Sequence, residues 1–164
     1  MSQIRVFKAT RRNLPHWQSP GAVYFLTWCT ACGKTLTPED RSLVIDAIRF
    51  WDGTRWAVVA AVVLPDHAHA LVRPLPLDPS RLVEGTTHDL GEILGSVKKF
   101  SALRINLRHG RTGRLWQDEW YDRIVRDGRE FWETWEYIRN NPVAAGLIDR
   151  PEEYAWLYEA KTAD

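Results

Sequence analysis

Cysteine is scarce in this chain: Cys29 and Cys32 are the two in 164 residues. That is too few for the disulfide framework of a small secreted domain. The second Cys-x-x-Cys pair of a zinc site is missing too, so Cys29-Thr30-Ala31-Cys32 reads as the end of a strand. No apolar run approaches the ~20 residues needed to cross a bilayer, which excludes a membrane span. The opening stretch, MSQIRVFKATRRNLPHW, carries charge with no apolar segment behind it, so no secretory signal and a cytoplasmic location are expected. No internal repeat or low-complexity segment is present. What remains is 45% hydrophobic and 26% charged, the balance of a soluble globular chain long enough to bury a core. A single domain over 1–164 is expected, with an N-terminal arm (1–20) and a C-terminal extension (148–164).

The net charge of +1 conceals an asymmetry. Residues 1–114 hold 16 Lys and Arg against 9 Asp and Glu; residues 115–164 hold 6 against 12. One stretch, KKFSALRINLRHGRTGR (98–114), has six basic residues and no acidic one. Lys98, Lys99, Arg104, Arg108, Arg111 and Arg114 are the electrostatic footprint expected for nucleic acid, although a solvated helix face reads similarly. Trp116, directly after the run, is the best base-stacking candidate among the tryptophans, ahead of Trp120 and Trp132. Lys8, Arg11 and Arg12 on the arm are further candidate DNA contacts.

Local patterns give the elements. GAVYFLTWCT (21–30) is apolar with β-branched and aromatic residues, a strand. Thr37-Pro38-Glu39-Asp40 supplies an N-cap, Pro at the first helical position and acid in the first turn, predicting a helix to about Trp51. RWAVVAAVVLP (55–65) is apolar on both faces, so this strand is buried on both sides. After Pro65-Asp66, His67 to Arg73 reads as the next strand, and 73–88, with three prolines, as a long loop. A helix follows over 89–109, then a strand from Trp120 to Val125. Asp127 and Glu130 start a last helix, which Pro142 is expected to limit. The order predicts an α+β sandwich, ferredoxin-like (RRM-like), with an antiparallel sheet.

Two constellations stand out. In His67-Ala68-His69 the imidazoles project from one strand face with Cα atoms roughly 6.5–7 Å apart, and Ala68 faces the opposite side. Such a pair either converges on one cation or sits as two hydrogen-bonded histidines. On the last helix Phe131, Trp135 and Ile138 form the stripe that faces the sheet. Tyr137 and Asn141 lie about 80–125° from its centre, one turn apart on a shared face. They point together at a site beside the sheet, or into solvent.

In chain order, VVLPDHAHALV (62–72), GRLWQDEWYDRIVRD (113–127) and YIRNNPVAAGL (137–147) resemble the REP-associated tyrosine transposases, single-tyrosine members of the HUH endonuclease superfamily. The resemblance extends from YFLTWCT (24–30) to PEEYAWLY (151–158). It implies a ferredoxin-like core with the histidines on a central strand and a nucleophilic tyrosine on a helix. By the same resemblance His67 and His69 match the metal-binding pair, Tyr137 the nucleophile, and Asn141 the polar residue that completes the metal site. Asp66 stands where asparagine or glutamate is common, and Trp156-Leu157-Tyr158 replaces the usual Trp-Ser-Ser.

The implied function is a metal-dependent single-strand DNA endonuclease and strand transferase (a transposase), acting on hairpin DNA through a 5′-phosphotyrosine bond. A divalent metal ion, Mg²⁺ or Mn²⁺, is the implied cofactor. No nucleotide cofactor is needed, because the covalent intermediate keeps the phosphodiester energy. Relatives imply a monomer or a homodimer. The rival readings are a DNA-binding module without catalysis and a metal phosphoesterase in which Tyr137 is only structural.

Overall fold

A computed structural model describes residues 18–80 and 86–161. The expected Lys8, Arg11 and Arg12 contacts lie outside the described residues. The elements are β1 (Val23–Cys29), α1 (Pro38–Phe50), β2 (Trp56–Val63), β3 (His67–Pro74), α2 (Leu90–Arg108), β4 (Tyr121–Val125), α3 (Gly128–Ala144) and β5 (Leu157–Glu159), with a 3-10 turn at Pro151–Glu153. The strands form one antiparallel sheet in the order β4-β1-β3-β2-β5. The first four strands have the ferredoxin-like arrangement, which sets β1 and β3 side by side at its centre.

Alternation along the strands divides the core between two sheet faces. Leu26 and Trp28 of β1 and Ala68, Ala70 and Val72 of β3 pack under α1 and α2, against Val44, Ile48, Ile93 and Val97. Phe25 and Leu71 point the other way, toward Ile138, Phe131 and Trp135 of α3. A bulge between Val58 and Ala60 shifts the register of β2. Val58 and Ala61 consequently join the first core while Ala60 and Val62 join the second, which is why β2 is apolar throughout.

Each helix begins at the cap its sequence supplies. Thr37 and Asp40 close a reciprocal capping box on α1, Asp89 accepts the Glu92 N–H at the start of α2, and Asp127 accepts the Glu130 N–H at the start of α3. The end of α3 differs from expectation: Pro142 does not limit it, and the helix continues to Ala144 with Pro142 buried inside. So close to the terminus, proline costs one backbone bond, and its ring packs inward. The stop is set by Gly146 (φ 71°), which no side-chain residue adopts cheaply. There Gly146 N–H donates to Val143 C=O and Leu147 N–H to Pro142 C=O, the two bonds of a Schellman motif. Strand β5 adds to the expected elements; its three residues pair with the edge of β2.

Candidate active site

Residues 67 and 69 leave β3 on the face covered by α3, while Ala68 enters the opposite core, as the strand alternation requires. The two imidazole centroids are 4.8 Å apart at 78°. His69 is only 4% exposed. It faces Thr27 across the β1–β3 ladder, with Thr27 Oγ1 2.7 Å from its Nδ1. Its other nitrogen, Nε2, is buried and has no hydrogen-bond partner. Burial, and secondarily neighbouring His67, holds the His69 pKa down at about 3, so the ring is neutral. His67 is fixed differently: its Nδ1 lies 2.6 Å from Asp66 Oδ1, and a carboxylate there accepts the ring N–H.

From the other side α3 brings Tyr137. Its ring is 5.3 Å from that of His69 and 5.9 Å from that of Phe25, which itself stacks on His69 at 5.4 Å. The tyrosine is 53% exposed, so its hydroxyl meets solvent at the mouth of the site. Asn141 stands one turn further along α3, half-buried. Helix geometry, rather than a direct contact, assigns it to the same stripe. Among the described residues no group of three His, Cys, Asp or Glu is placed to hold a metal ion. A cation here therefore needs the two imidazoles plus amide, phosphate or water oxygens, a donor set suited to Mg²⁺ or Mn²⁺ less than to softer ions but open enough for phosphate.

Beside Tyr137 lies a cavity of about 510 Å³. Its walls are Phe25 and Thr134 together with Arg123, Arg126 and Arg129 and their acidic partners Glu130 and Glu133. These residues escaped the reading from sequence. In the sequence Glu130 stands out only as part of the start of α3, and Arg123 reaches the cavity only through the β1–β4 register.

The basic run lies elsewhere. Its helical part is on α2, which packs with α1 on the sheet face opposite His69 and Tyr137. Lys98 donates to the carbonyls of Gln117 and Asp118, and burial lowers its pKa. Arg108 pairs with Glu39 and the buried Asp40, and Arg114 with Asp118. Lys99, Arg104 and Arg111 remain exposed. The expected stacking role of Trp116 is corrected: the ring is 4% exposed, its N–H donates to Ser101 Oγ, and it packs edge-on against Trp28. An indole filling the core has no face left for a base. Cys29 sits across from His67 on the site face, its thiol pKa raised by burial and then by Asp66; both cysteines are free.

No protein-family model matches the chain. A curated relative, an uncharacterized protein of Haemophilus influenzae, is 28% identical over 96 residues, covering 50% of this chain and 52% of its own. The chain thus spans about half the length of the curated relative it matches. Among solved structures, a REP-associated tyrosine transposase bound to a REP hairpin superposes with a TM-score of 0.65 at 18% identity, covering 92% of this chain and 82% of the other. A putative transposase from Deinococcus radiodurans gives a TM-score of 0.49 at 20% identity, covering 81% and 97%. The first of these similarities establishes the fold, that of a REP-associated tyrosine transposase, as the resemblance in sequence implied.

Proposed function

We propose that the chain is a metal-dependent endonuclease and strand transferase for single-stranded DNA flanking a hairpin, with Tyr137 as nucleophile. One observation carries the reading: the buried, unpartnered Nε2 of a neutral His69, beside His67 and the half-exposed ring of Tyr137. A ring nitrogen left without a partner at 4% exposure is costly unless a ligand completes it, and in the tautomer whose Nδ1–H donates to Thr27 Oγ1 that nitrogen presents a lone pair to a cation. His67 and His69, with the Asn141 amide oxygen, are the groups that would hold a divalent cation. When bound, that ion supplies positive charge against the scissile phosphate.

The residues of the chain do the rest. Thr27 orients His69 through Nδ1, and Asp66 orients His67. Making phenolate from a tyrosine costs ~4 kcal/mol at pH 7, so Tyr137 needs the developing charge offset nearby, and its ring stands 5.3 Å from that of His69, one of the two groups that would hold the cation. Its Oη attacks phosphorus and its proton passes to water. The P–O3′ bond breaks, O3′ takes up a proton, and a 5′-phosphotyrosine bond and a free 3′-hydroxyl result. A second 3′-hydroxyl reverses the same exchange, joining strands without a nucleotide cofactor. The outcome is transposition or recombination chemistry.

The test is incubation of the full chain with end-labelled hairpins bearing single-stranded flanks, with Mg²⁺ or Mn²⁺, followed by a denaturing gel. Label linked to protein is the expected result. Binding with no cleavage would identify a DNA-binding module, and cleavage without linkage a metal phosphoesterase.

A further inference from the structure

Arg123 faces Phe25 in the β1–β4 ladder, so it leaves the sheet on the side that carries the histidines. Two α3 side chains hold its guanidinium. Glu130 Oε1 accepts from Nη1 at 2.6 Å, and Thr134 Oγ1 accepts from Nη2 at 3.4 Å. The guanidinium carbon lies 5.8 Å from the Phe25 ring centroid. The side chain is still 39% exposed, and it opens into the cavity that Tyr137 lines.

Glu130, Thr134 and Tyr137 fall at i, i+4 and i+7 on α3, a single stripe of the helix. The axial rise to Tyr137 is about 4.5 Å from Thr134 and about 10 Å from Glu130. Asn141, at i+11, continues the same line. Along α3, then, come the two residues that hold the Arg123 guanidinium, the phenol, and the Asn141 amide. The guanidinium and the phenol line the same cavity.

An ion pair this exposed contributes little to stability, which is a weak reason for a hold from two residues of another element. The hold does fix the planar fork, and a fixed fork suits a phosphate better than a mobile one. The rim arginines contrast with it: Arg126 and Arg129 are 77% and 87% exposed and pair with Glu130 and Glu133. With three guanidinium groups and the carboxylates of Asp127, Glu130 and Glu133 around the cavity, the field is near neutral. Recognition there must come from a placed group rather than from bulk charge.

Building on the single-strand DNA reading above, we infer that Arg123 binds the phosphodiester next to the scissile one, with Glu130 and Thr134 as its positioning residues. The strand lies along the α3 stripe, one phosphate at Tyr137 and its neighbour on Arg123. The basic run of α2, on the other sheet face, does not make this contact.

The test measures binding of a flanked hairpin by the full chain in chelator, so that no strand is cut. A neutral methylphosphonate replaces each phosphate of the single-stranded flank in turn, for the wild-type protein and for Arg123→Gln. Arg123→Gln is expected to weaken binding of the all-phosphate strand roughly 10-fold, a single charge-assisted contact. One methylphosphonate, adjacent to the phosphate that becomes linked to protein, should cost the wild type a similar factor and cost Arg123→Gln nothing more. Arg123→Lys, which keeps the charge and loses the fork, should fall between the two. Equal affinity of Arg123→Gln and wild type would overturn the inference, as would additive losses at every position or a coupled position away from the linkage site. A wild-type protein that binds no flanked hairpin would instead remove the DNA reading itself, and the wild-type arm reports that separately.

Discussion

Thr27 and His69 are direct cross-strand partners, and the 2.7 Å separation of Oγ1 and Nδ1 decides how the imidazole is presented. With Nδ1 engaged by a hydroxyl on the neighbouring strand, the ring orientation is held and Nε2 is left buried without a partner. Partners of this kind tune metal-binding histidines by ~10–100-fold when removed. Thr27→Val keeps the shape and loses the oxygen. It should raise the Mg²⁺ or Mn²⁺ concentration needed for half-maximal cleavage by about that factor while leaving DNA binding in chelator unchanged. Unaltered metal dependence would mean that the ring is held by packing against Phe25 alone.

Tyr137→Phe should abolish the protein–DNA adduct and leave folding intact. The ring edge that packs on Phe25 and His69 is retained, and the lost hydroxyl is at a 53% exposed side chain. The thermal midpoint should therefore stay within a degree or two, since exposed substitutions of this kind fall within about ±0.5 kcal/mol. Adduct formation that survives would direct attention to Tyr121, which stands across from Thr27 in the β1–β4 ladder.

Acid should weaken the fold through His69. Its pKa in the folded chain is about 3, against 6.5 for a free imidazole, chiefly because it is buried. Above pH 6.5 the ring is neutral in both states and contributes no pH dependence. As pH falls from 6.5 toward 3, the unfolded chain takes up a proton that the folded chain refuses, so stability is lost over that window. Between pH 6.5 and 5 this loss is about 2 kcal/mol at most. Urea unfolding at pH 7.5 and 5.0 should show it in the wild type and show less of it in His69→Gln. Equal losses in the two proteins would exclude His69 as the titrating group.

Asp40 joins the two helices on the far face. It has no exposed surface, closes the α1 capping box, and lies 2.8 and 2.9 Å from His109 Nε2 through its two oxygens. Asp40→Ala leaves the Thr37 cap, removes the carboxylate that accepts the Thr37 N–H, and strands the imidazole at the end of α2. A loss of about 2–4 kcal/mol in denaturant unfolding is expected, with adduct formation unchanged well below the new midpoint. A loss under 1 kcal/mol would show that α1 and α2 are held by their apolar contact alone.

How much of this was legible beforehand varied with the distance over which the cause acts. His67 and His69 sharing a face follows from the period of a strand, and Tyr137 with Asn141 from the period of a helix. Both are local rules, so they survive folding. The end of α3 departs from its expected place because Pro142 is the louder local signal, yet the left-handed turn at Gly146 stops the helix. Trp116 follows a basic run and so resembled a surface aromatic. Its burial comes from the pairing of Thr30 with Trp116, a contact across 86 positions that composition does not encode. Arg123 was invisible for the same reason, since its site partners come from β1 and α3.

The charge on α2 leads to the last prediction. Six basic residues over 98–114, if most reached phosphate, would make binding steeply salt-dependent, because each contact to a single strand contributes about −0.7 to the log–log slope. Several already have partners: Lys98 on two carbonyls, Arg114 on Asp118, and Arg108 on Glu39 and Asp40. A cation that is paired in the free protein releases less counterion from DNA, because it must first give up its carboxylate. Lys99, Arg104 and Arg111 are the exposed members that retain their full charge for a ligand. Removing Arg104 should therefore flatten the slope by about 0.7, and removing Arg108 as well should add little. The yield of adduct at saturating DNA should be unchanged in both variants, since α2 lies on the face opposite Tyr137. Measuring affinity for one flanked hairpin across a salt series decides it. A further flattening of about 0.7 from Arg108→Ala would show that DNA displaces the Asp40 pair, and an unchanged slope in Arg104→Ala would mark the whole run as a solvated helix face.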